Sequence, residues 1–426
     1  MTAQNFYRIY YGNKKIRELI RSQFRDVSFA VGSGPALIKK RWAFPVKIVS
    51  AGSVDELLDE GLDVYRPALS NSGSFFIFWD LEYFNRNDQS FVYKHQRRVF
   101  GWMEPFISGI EEILSSFGIK YILDTTASGF HFWMRISKES SAFGDLSEEG
   151  FLTESMELKY RKVVKDDVKR ARPVSLAVAR AYDCAGKILE YLTFKVKEKI
   201  SGVIPFTVSD APEFEKNGRQ DGFSSDITQY AHPLYMRVFR TIASLHQKNI
   251  MFHGGSTPAV DIVRKNGNSM DEVLDCMWDA GRAVSFFSDF NIDLPFSGVG
   301  WKKLFEEYKA SRIRDFHKAF EYSPAERVEI SREPPEIGKF FIRKTANPSL
   351  LDPSVLQKIV NHCMESGGLK KLKGMLNIIA GYYDDRSFQW YNPVKFTGID
   401  WTKYDANQAA HFWGRVYSTQ FMLDNG

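Results

Sequence analysis

The sequence predicts an α/β protein with a small, mostly helical C-terminal part. Three observations predict it. Aromatic-rich runs of strand length lie between residues 42 and 136, in "WAFPVKIVS", "SFFIFWDLEY" and "FHFWMRI". Stretches with apolar residues at helical spacing fall before, between and after them. A charged stretch with three prolines, "SPAERVEISREPPEIG" at 323–338, then separates the bulk of the chain from residues 339–426. A chain of 426 residues is long enough for one large domain with a second appended.

Taken in order, residues 4–24 read as a helix. Residues 42–50 read as a strand, with Pro45 marking an edge or a break. Ser53 with Glu56 three residues on is a capping-box pattern for a short helix. The turn "SNSG" leads into a strand at 75–83. "WMEPFISGIEEILSSFG" reads as a helix ending at Gly118. "IKYILDTTASG" and "FHFWMRI" read as two short strands around a turn. Residues 138–160 are polar and acidic, as in a loop, and 161–200 read as a helical insertion broken at Pro173. "FEKNGRQDGFSSD" reads as another loop. "LYMRVFRTIASLHQKNI" leads to Gly254 and Gly255, and residues 270–288 and 300–320 read as helices. The expected division is a catalytic domain at 1–322, a linker at 323–338 and a helical domain at 339–426.

Composition narrows the function classes a little. The chain is 44% hydrophobic and 26% charged, as in ordinary soluble globular proteins. Its net charge of +5 is compatible with a polyanionic partner and is weak support for one. Cys184, Cys276 and Cys363 form no CxxC pair, so no structural zinc is expected. The N-terminus lacks the apolar core of a secretory signal, and no run reaches 18 apolar residues. The expectation is a protein that is not secreted and has no membrane partner, in the cytoplasm or, depending on the host, a nucleus or virus factory.

Three stretches carry candidate chemistry. In "SFFIFWDLEYFN" two carboxylates interrupt a buried strand, where desolvation is costly. Strand alternation projects Asp80 and Glu82 to one face. The pair reads either as a platform for Mg²⁺ or Mn²⁺ or as a strand end meeting solvent. In "TTASGFHFW", Ser128 and Gly129 form a turn whose N–H groups suit a phosphate, and His131 shares a face with Trp133 and Arg135. Taken alone, His131 reads sooner as a structural histidine than as a ligand-binding one. In "SSDITQYAHPLYMRVFRTIASLHQKN", Asp226 precedes Arg237 and Arg240, spaced as on one helical face, and an extended Ser244–Lys248 would aim Ser244, His246 and Lys248 the same way. Those three make a triphosphate cradle or a generic basic surface.

These stretches, in this order, resemble the archaeo-eukaryotic primase superfamily, that is, the catalytic small subunit of DNA primase and the primase-polymerases. "FFIFWDLEY", "TASGFHFW" and "SSDITQY…RVFRTIASLHQKN" carry the resemblance, with the opening "FYRIYYG…IRELIRSQFRDVSFA", over about residues 1–300. The resemblance implies a mixed-sheet primase-polymerase core with an RNA-recognition-like sheet. It implies that Asp80, Glu82 and Asp226 bind two divalent ions, and that Ser128, Gly129 and His131 with Arg240, Ser244, His246 and Lys248 hold the nucleotide. The implied partners are single-stranded DNA template, nucleoside triphosphates and an accessory subunit or helicase. Departures are the Asp-x-Glu pair, the short "TASGFH" turn and the missing zinc knuckle, which favour a stand-alone plasmid- or virus-type enzyme. The expected activity is primer synthesis and extension by two-metal nucleotidyl transfer. The alternatives are a primer-dependent polymerase, a non-catalytic nucleic-acid-binding protein on the same fold, and a metal-dependent nuclease. Basic "GGLKKLKG" at 367–374, with aromatics from Tyr382 to Tyr391, offers a place for single-stranded DNA or a partner.

Overall fold

The computed structural model describes residues 2–37, 46–68, 73–153, 157, 175–208, 220–227, 230, 238–265, 267–325, 353–386 and 406–425. Two large sheets pack face to face. The larger is built from six strands: β4 (Ser74–Asn85), β5 (Tyr121–Thr125), β6 (Gly129–Ser137), β7 (Phe206–Val208), β8 (Asp221–Asp226) and β12 (Ile262–Val263). Their order is β12-β5-β6-β4-β8-β7, and the sheet is mixed: β7 and β8 run parallel and every other pair antiparallel. The smaller sheet has the order β2-β1-β3-β9, from β1 (Phe29–Ser33), β2 (Val46–Ser50), β3 (Asp63–Pro67) and β9 (Val238–Arg240). A two-stranded ribbon of β10 (Leu245–His246) and β11 (Ala259–Val260) lies beside them.

Alternation along β4 decides what packs where. Phe75, Ile77, Trp79 and Leu81 are buried on the back of the large sheet. Helices 96–116 and 176–199 cover that side: Phe100 packs on Phe130, Phe106 on Phe223, and Thr193 Oγ1 donates to Ser225 Oγ at 2.8 Å. On the front, Phe78 stacks on Phe239 of the small sheet at 3.7 Å, and the Arg66 guanidinium lies over the Phe76 ring. The front of β4 is therefore apolar at its start and acidic at its end.

Several elements differ from the sequence expectation. Residues 4–24 form two helices, Ala3–Tyr10 and Lys14–Ser22, with Asn13 capping the second through Lys15 N and Ile16 N. Ser53 makes no side-chain cap, and its hydroxyl accepts from Ser50 Oγ instead. A full capping box forms at Ser269 and Glu272. Residues 141–149 are helical, capped by Ser140, where a loop was expected. Residues 221–226 form strand β8 rather than loop. Residues 238–240 form a strand, because β3 is there to pair with them (Tyr65 opposite Arg240). The helical face expected for Arg237 and Arg240 does not form, and Arg237 lies outside the described residues. So do 161–174 of the expected insertion and 326–338 of the expected linker.

Beyond the linker, helices 353–386 and 406–425 pack on each other, and the latter packs on helix 312–322. Gly368, at φ +67°, breaks the first of them inside the basic stretch. Lys373 from that stretch donates to the carbonyls of Glu321 and Ser323, tying it to the body. The side chains of Tyr382 to Tyr391 lie outside what the structure describes.

Candidate active site

The acidic end of β4 is flanked on both sides. Asp80 lies directly opposite His131 of β6 and opposite Asp226 of β8. Glu82 lies between Gly129 and Ser224, and Asp124 of β5 lies opposite His131. Directly paired residues share a face, so four carboxylates and an imidazole crowd one side of four adjacent strands. Gly129 is needed for the approach of β6 to β4: a Cβ there would fall 1.9 Å from the Leu81 carbonyl oxygen.

Glu82 is held from two directions. Its Oε1 accepts from Ser128 Oγ at 2.9 Å and from Lys248 Nζ at 2.7 Å. That carboxylate, then burial working against it, sets the Lys248 ammonium, and the net effect raises it. Glu82, Ser128, Ser224, Asp226, Lys248, Tyr93 and His253 line a cleft of about 380 Å³. The Tyr93 ring lies against His253, 5.2 Å between centroids. Tyr93 and His253 were not singled out in the sequence, because each becomes part of the site only through packing.

Beneath the cleft lies a buried set of charges. His131 Nε2 is 3.4 Å from Asp80 Oδ1, and its Nδ1 is 3.7 Å from Asp124 Oδ2. Burial alone would push this imidazole down, but Asp80 and Asp124 outweigh it and hold it up to about 10. It is an imidazolium at neutral pH. Asp63, Asp124 and Asp261 are all fully buried. Burial raises all three, Asp63 to about 6, against the pull of Arg240 or His131. Arg240 is their common cation. Its Nη1 is 3.3 Å from Asp261 Oδ2 and 2.8 Å from His246 Nδ1, and Nη2 donates to Tyr65 OH. His246 Nδ1 also accepts from the Ala127 amide at 3.3 Å. Burial, then Arg240 and Lys248, depress His246 strongly, so it is neutral with its proton on Nε2.

Several atoms of this set are buried without a hydrogen-bond partner: both oxygens of Asp124, Asp261 Oδ1, His131 Nδ1 and His246 Nε2. Asp124, His131 and Asp261 each offer a ligand atom, all within 4.8 Å of one another, a group that could hold a metal ion in exchange for the His131 proton. Among the described residues, Asp80, Glu82 and Asp226 do not form such a group, and Glu82 bonds Lys248 and Ser128.

The structure thus brings Asp80, Glu82, Asp226, Ser128, His131 and Lys248 to one face or cleft. Arg240 and His246 stand behind it, turned to buried carboxylates. Ser244 is fully buried, accepts from the Val64 amide at 2.7 Å and donates to the Leu245 carbonyl. It does not point with His246 and Lys248, because the extended segment is only two residues long and Lys248 opens helix 248–253. The turn before Gly129 spends its amides internally, Ala127 N on His246 and Ser128 N on Thr126 Oγ1. Asp63, Asp124 and Asp261 are each a single acid beside apolar residues, in "GLDVY", "YILDTT" and "AVDIV", a weaker form of the signal that the Asp80–Glu82 pair gives.

No family model matches this chain, and no curated protein does. Among solved structures, the polymerase domain of ligase D from Mycobacterium tuberculosis, in complex with DNA, is similar over 72% of this chain and 89% of that chain, at 9% identity and a TM-score of 0.33. A similarity at this level bears on neither the fold nor the activity of the chain.

Proposed function

We propose that the chain is a template-directed nucleotidyltransferase of the primase-polymerase kind, which makes and extends primers on single-stranded DNA from nucleoside triphosphates. The supporting observation is the juxtaposition of Asp80, Glu82 and Asp226, on paired strands, with Ser128 and Lys248 at the mouth of one cleft. Carboxylates alone would suit many metal-dependent reactions. A lysine and a hydroxyl at the same cleft add the means to hold a triphosphate, which a nuclease does not need.

The donor set fits a hard divalent cation. Asp80, Glu82 and Asp226 offer only carboxylate oxygens, and their crowding is relieved by bound positive charge. They would hold Mg²⁺ or Mn²⁺, which when bound lowers the pKa of the attacking 3′-hydroxyl and stabilises charge on the α-phosphate and pyrophosphate. Lys248 occupies Glu82 until that carboxylate is otherwise neutralised, and then turns to the β- and γ-phosphates. Ser128 Oγ, also released from Glu82, donates to the same group. His131, a buried cation against Asp80, fixes the orientation of that carboxylate. Arg240 and His246 set the rigid positive background behind the cleft. Binding of template rests on backbone charge and base stacking, with little sequence readout.

The test is incubation of the purified chain with unprimed single-stranded DNA, labelled nucleotides and Mg²⁺ or Mn²⁺, beside Asp80→Ala and a primed template. New strands on the unprimed template, lost in the variant, are the expected result. Extension of the primed template alone would move the activity to a primer-dependent polymerase. Absence of synthesis together with absence of nucleotide binding would overturn the catalytic reading.

A further inference from the structure

Two serines stand side by side on β8 and are treated differently. Ser225 faces the back of the large sheet, where its Oγ accepts from Trp79 Nε1 at 2.7 Å and from Thr193 Oγ1 at 2.8 Å. Ser224 faces the front, directly opposite Glu82 of β4. It is 2% exposed, it lines the cleft, and its Oγ has no hydrogen-bond partner. A hydroxyl deprived of both water and a partner is unfavourable, and an alanine there would carry no such cost. Ser224 is also one corner of a set of four. Asp80 and Glu82 lie two apart on β4, Asp226 and Ser224 two apart on β8, and the two pairs face each other across the ladder. Their Cα atoms mark out a rectangle of about 5 Å by about 7 Å. Three corners are carboxylates. His131 lies 3.4 Å from Asp80, and Ser128 and Lys248 donate to Glu82. The fourth corner is the hydroxyl that no group of the chain engages.

We propose that Ser224 Oγ is an oxygen ligand of the divalent cation held at this end of the cleft, alongside the Glu82 and Asp226 carboxylates. This role rests on the reading of the acidic end of β4 as a cation platform, and it adds a fourth, neutral corner to that platform. The neighbours of Ser224 decide the class of ligand. A phosphate oxygen brought to this hydroxyl by itself would meet the carboxylates of Glu82 and Asp226 and be repelled. A hard cation meets the opposite field, and Mg²⁺ and Mn²⁺ take neutral oxygen ligands as well as carboxylates. A fourth carboxylate at this corner would add repulsion to a set that is already crowded. A hydroxyl offers its lone pairs without adding charge. The feature that is unfavourable in the chain by itself, a buried polar atom facing acids, is therefore what a bound cation satisfies.

The test uses the full chain without nucleotide and reads Mn²⁺ binding by electron paramagnetic resonance, so that it does not depend on catalysis. Ser224→Ala, Ser224→Cys and Asp80→Ala are compared with the unaltered chain, and thermal melts show that each variant folds. The expected result is Mn²⁺ affinity lowered roughly two- to tenfold by Ser224→Ala. Ser224→Cys should change the preference from a hard ion to a soft one. It should bind Mn²⁺ more weakly and Cd²⁺ more tightly, with a thiolate-to-cadmium absorption band in the ultraviolet. That band must exceed the one given by the unaltered chain, which carries Cys184, Cys276 and Cys363 as free thiols. If Ser224→Ala does not fold, Ser224→Cys, close in size to the serine, decides alone. Unchanged Mn²⁺ affinity in Ser224→Ala, or no added cadmium band in Ser224→Cys, while Asp80→Ala loses Mn²⁺, would overturn the role of Ser224 and leave the carboxylate platform standing. Absence of Mn²⁺ binding by the unaltered chain would overturn both.

Discussion

Beneath the cleft, Asp63, Asp124 and Asp261 crowd around Arg240 and His131. Where helix 406–425 meets helix 176–199, Asp183, Glu190 and Glu321 crowd around Lys187 and Arg415. Both sets are buried, and both hold three carboxylates against two cations. Yet Asp183 is driven well below its usual range, because Lys187 at 3.0 Å and Arg415 at 3.0 Å outweigh the effect of burial. Lys187 also reaches Glu321 at 2.6 Å, and His317 sits 3.3 Å from Glu190. The carboxylates under the cleft shift the other way, upward. The C-terminal set is closed by its own ion pairs and serves to fasten helices. In the cleft set His131 is shared with Asp80, and Arg240 with His246 and Tyr65, so burial outweighs the pull of the two cations.

The largest expected effect separates activity from stability. Asp80→Ala should abolish strand synthesis, by at least about 10³-fold, while its melting temperature stays close to that of the unaltered chain. A folding defect of the same size would erase the contrast between the two sets. Next, Lys187→Met should cost about 3–5 kcal/mol in urea unfolding, because it strands buried Asp183 and Glu321. A stable Lys187→Met would mean that the C-terminal set is no fastening.

The pH dependences should have opposite signs. Asp63 titrates at about 6 in the fold, above its ordinary 3.8. Its contribution to stability is therefore full below the ordinary value and lost as pH rises through about 6, by up to about 3 kcal/mol. Asp63→Asn should flatten that loss. Asp183 is depressed, so its contribution is present at neutral pH and lost as pH falls below the ordinary carboxylate range. Melts of Asp63→Asn at about pH 4 and about pH 7, and of Asp183→Asn at about pH 2.5 and about pH 7, check both signs. The smallest effect concerns Lys248→Ala. Freed of its ammonium, Glu82 should bind Mn²⁺ more tightly, and nucleotide should bind more weakly, each by about tenfold. Calorimetry with Mn²⁺ and with nucleotide separates the two.

The sequence made the acidic strand legible because a charged pair inside "FFIFWDLEY" breaks a local rule, and local rules are what a sequence displays. The same reasoning reached Ser128, His131 and Lys248 by pattern. It did not reach Asp124 or Asp261, although each is a single acid beside apolar residues. A lone acid gains meaning only from neighbours that the chain supplies from elsewhere. The strand at 238–240 was hidden for a related reason. The three-residue spacing of Arg237 and Arg240 is a local helical signal, and pairing with β3, remote in sequence, overrides it. Residues 141–149 looked like loop because only Ala142 and Leu146 of that helix are buried, too few to show a period. The capping pattern at Ser53 was a true pattern at the wrong place, since the backbone before that helix is a 3₁₀ turn.

Asp261 occupies the single residue between β11, which pairs with β10, and β12, which pairs with β5. Its amide donates to the Ser244 carbonyl, and the neighbouring Gln247 amide and side chain both bond Asp63, 184 residues earlier in the chain. The Gln247–Asp63 contacts have a very long loop to close, so chain entropy opposes them until most of the molecule is in place. The charges under the cleft are then among the last groups to leave water as the chain folds. A newly made or partly unfolded chain holds them hydrated and dispersed, and competence for chemistry arrives with the final docking of the sheets.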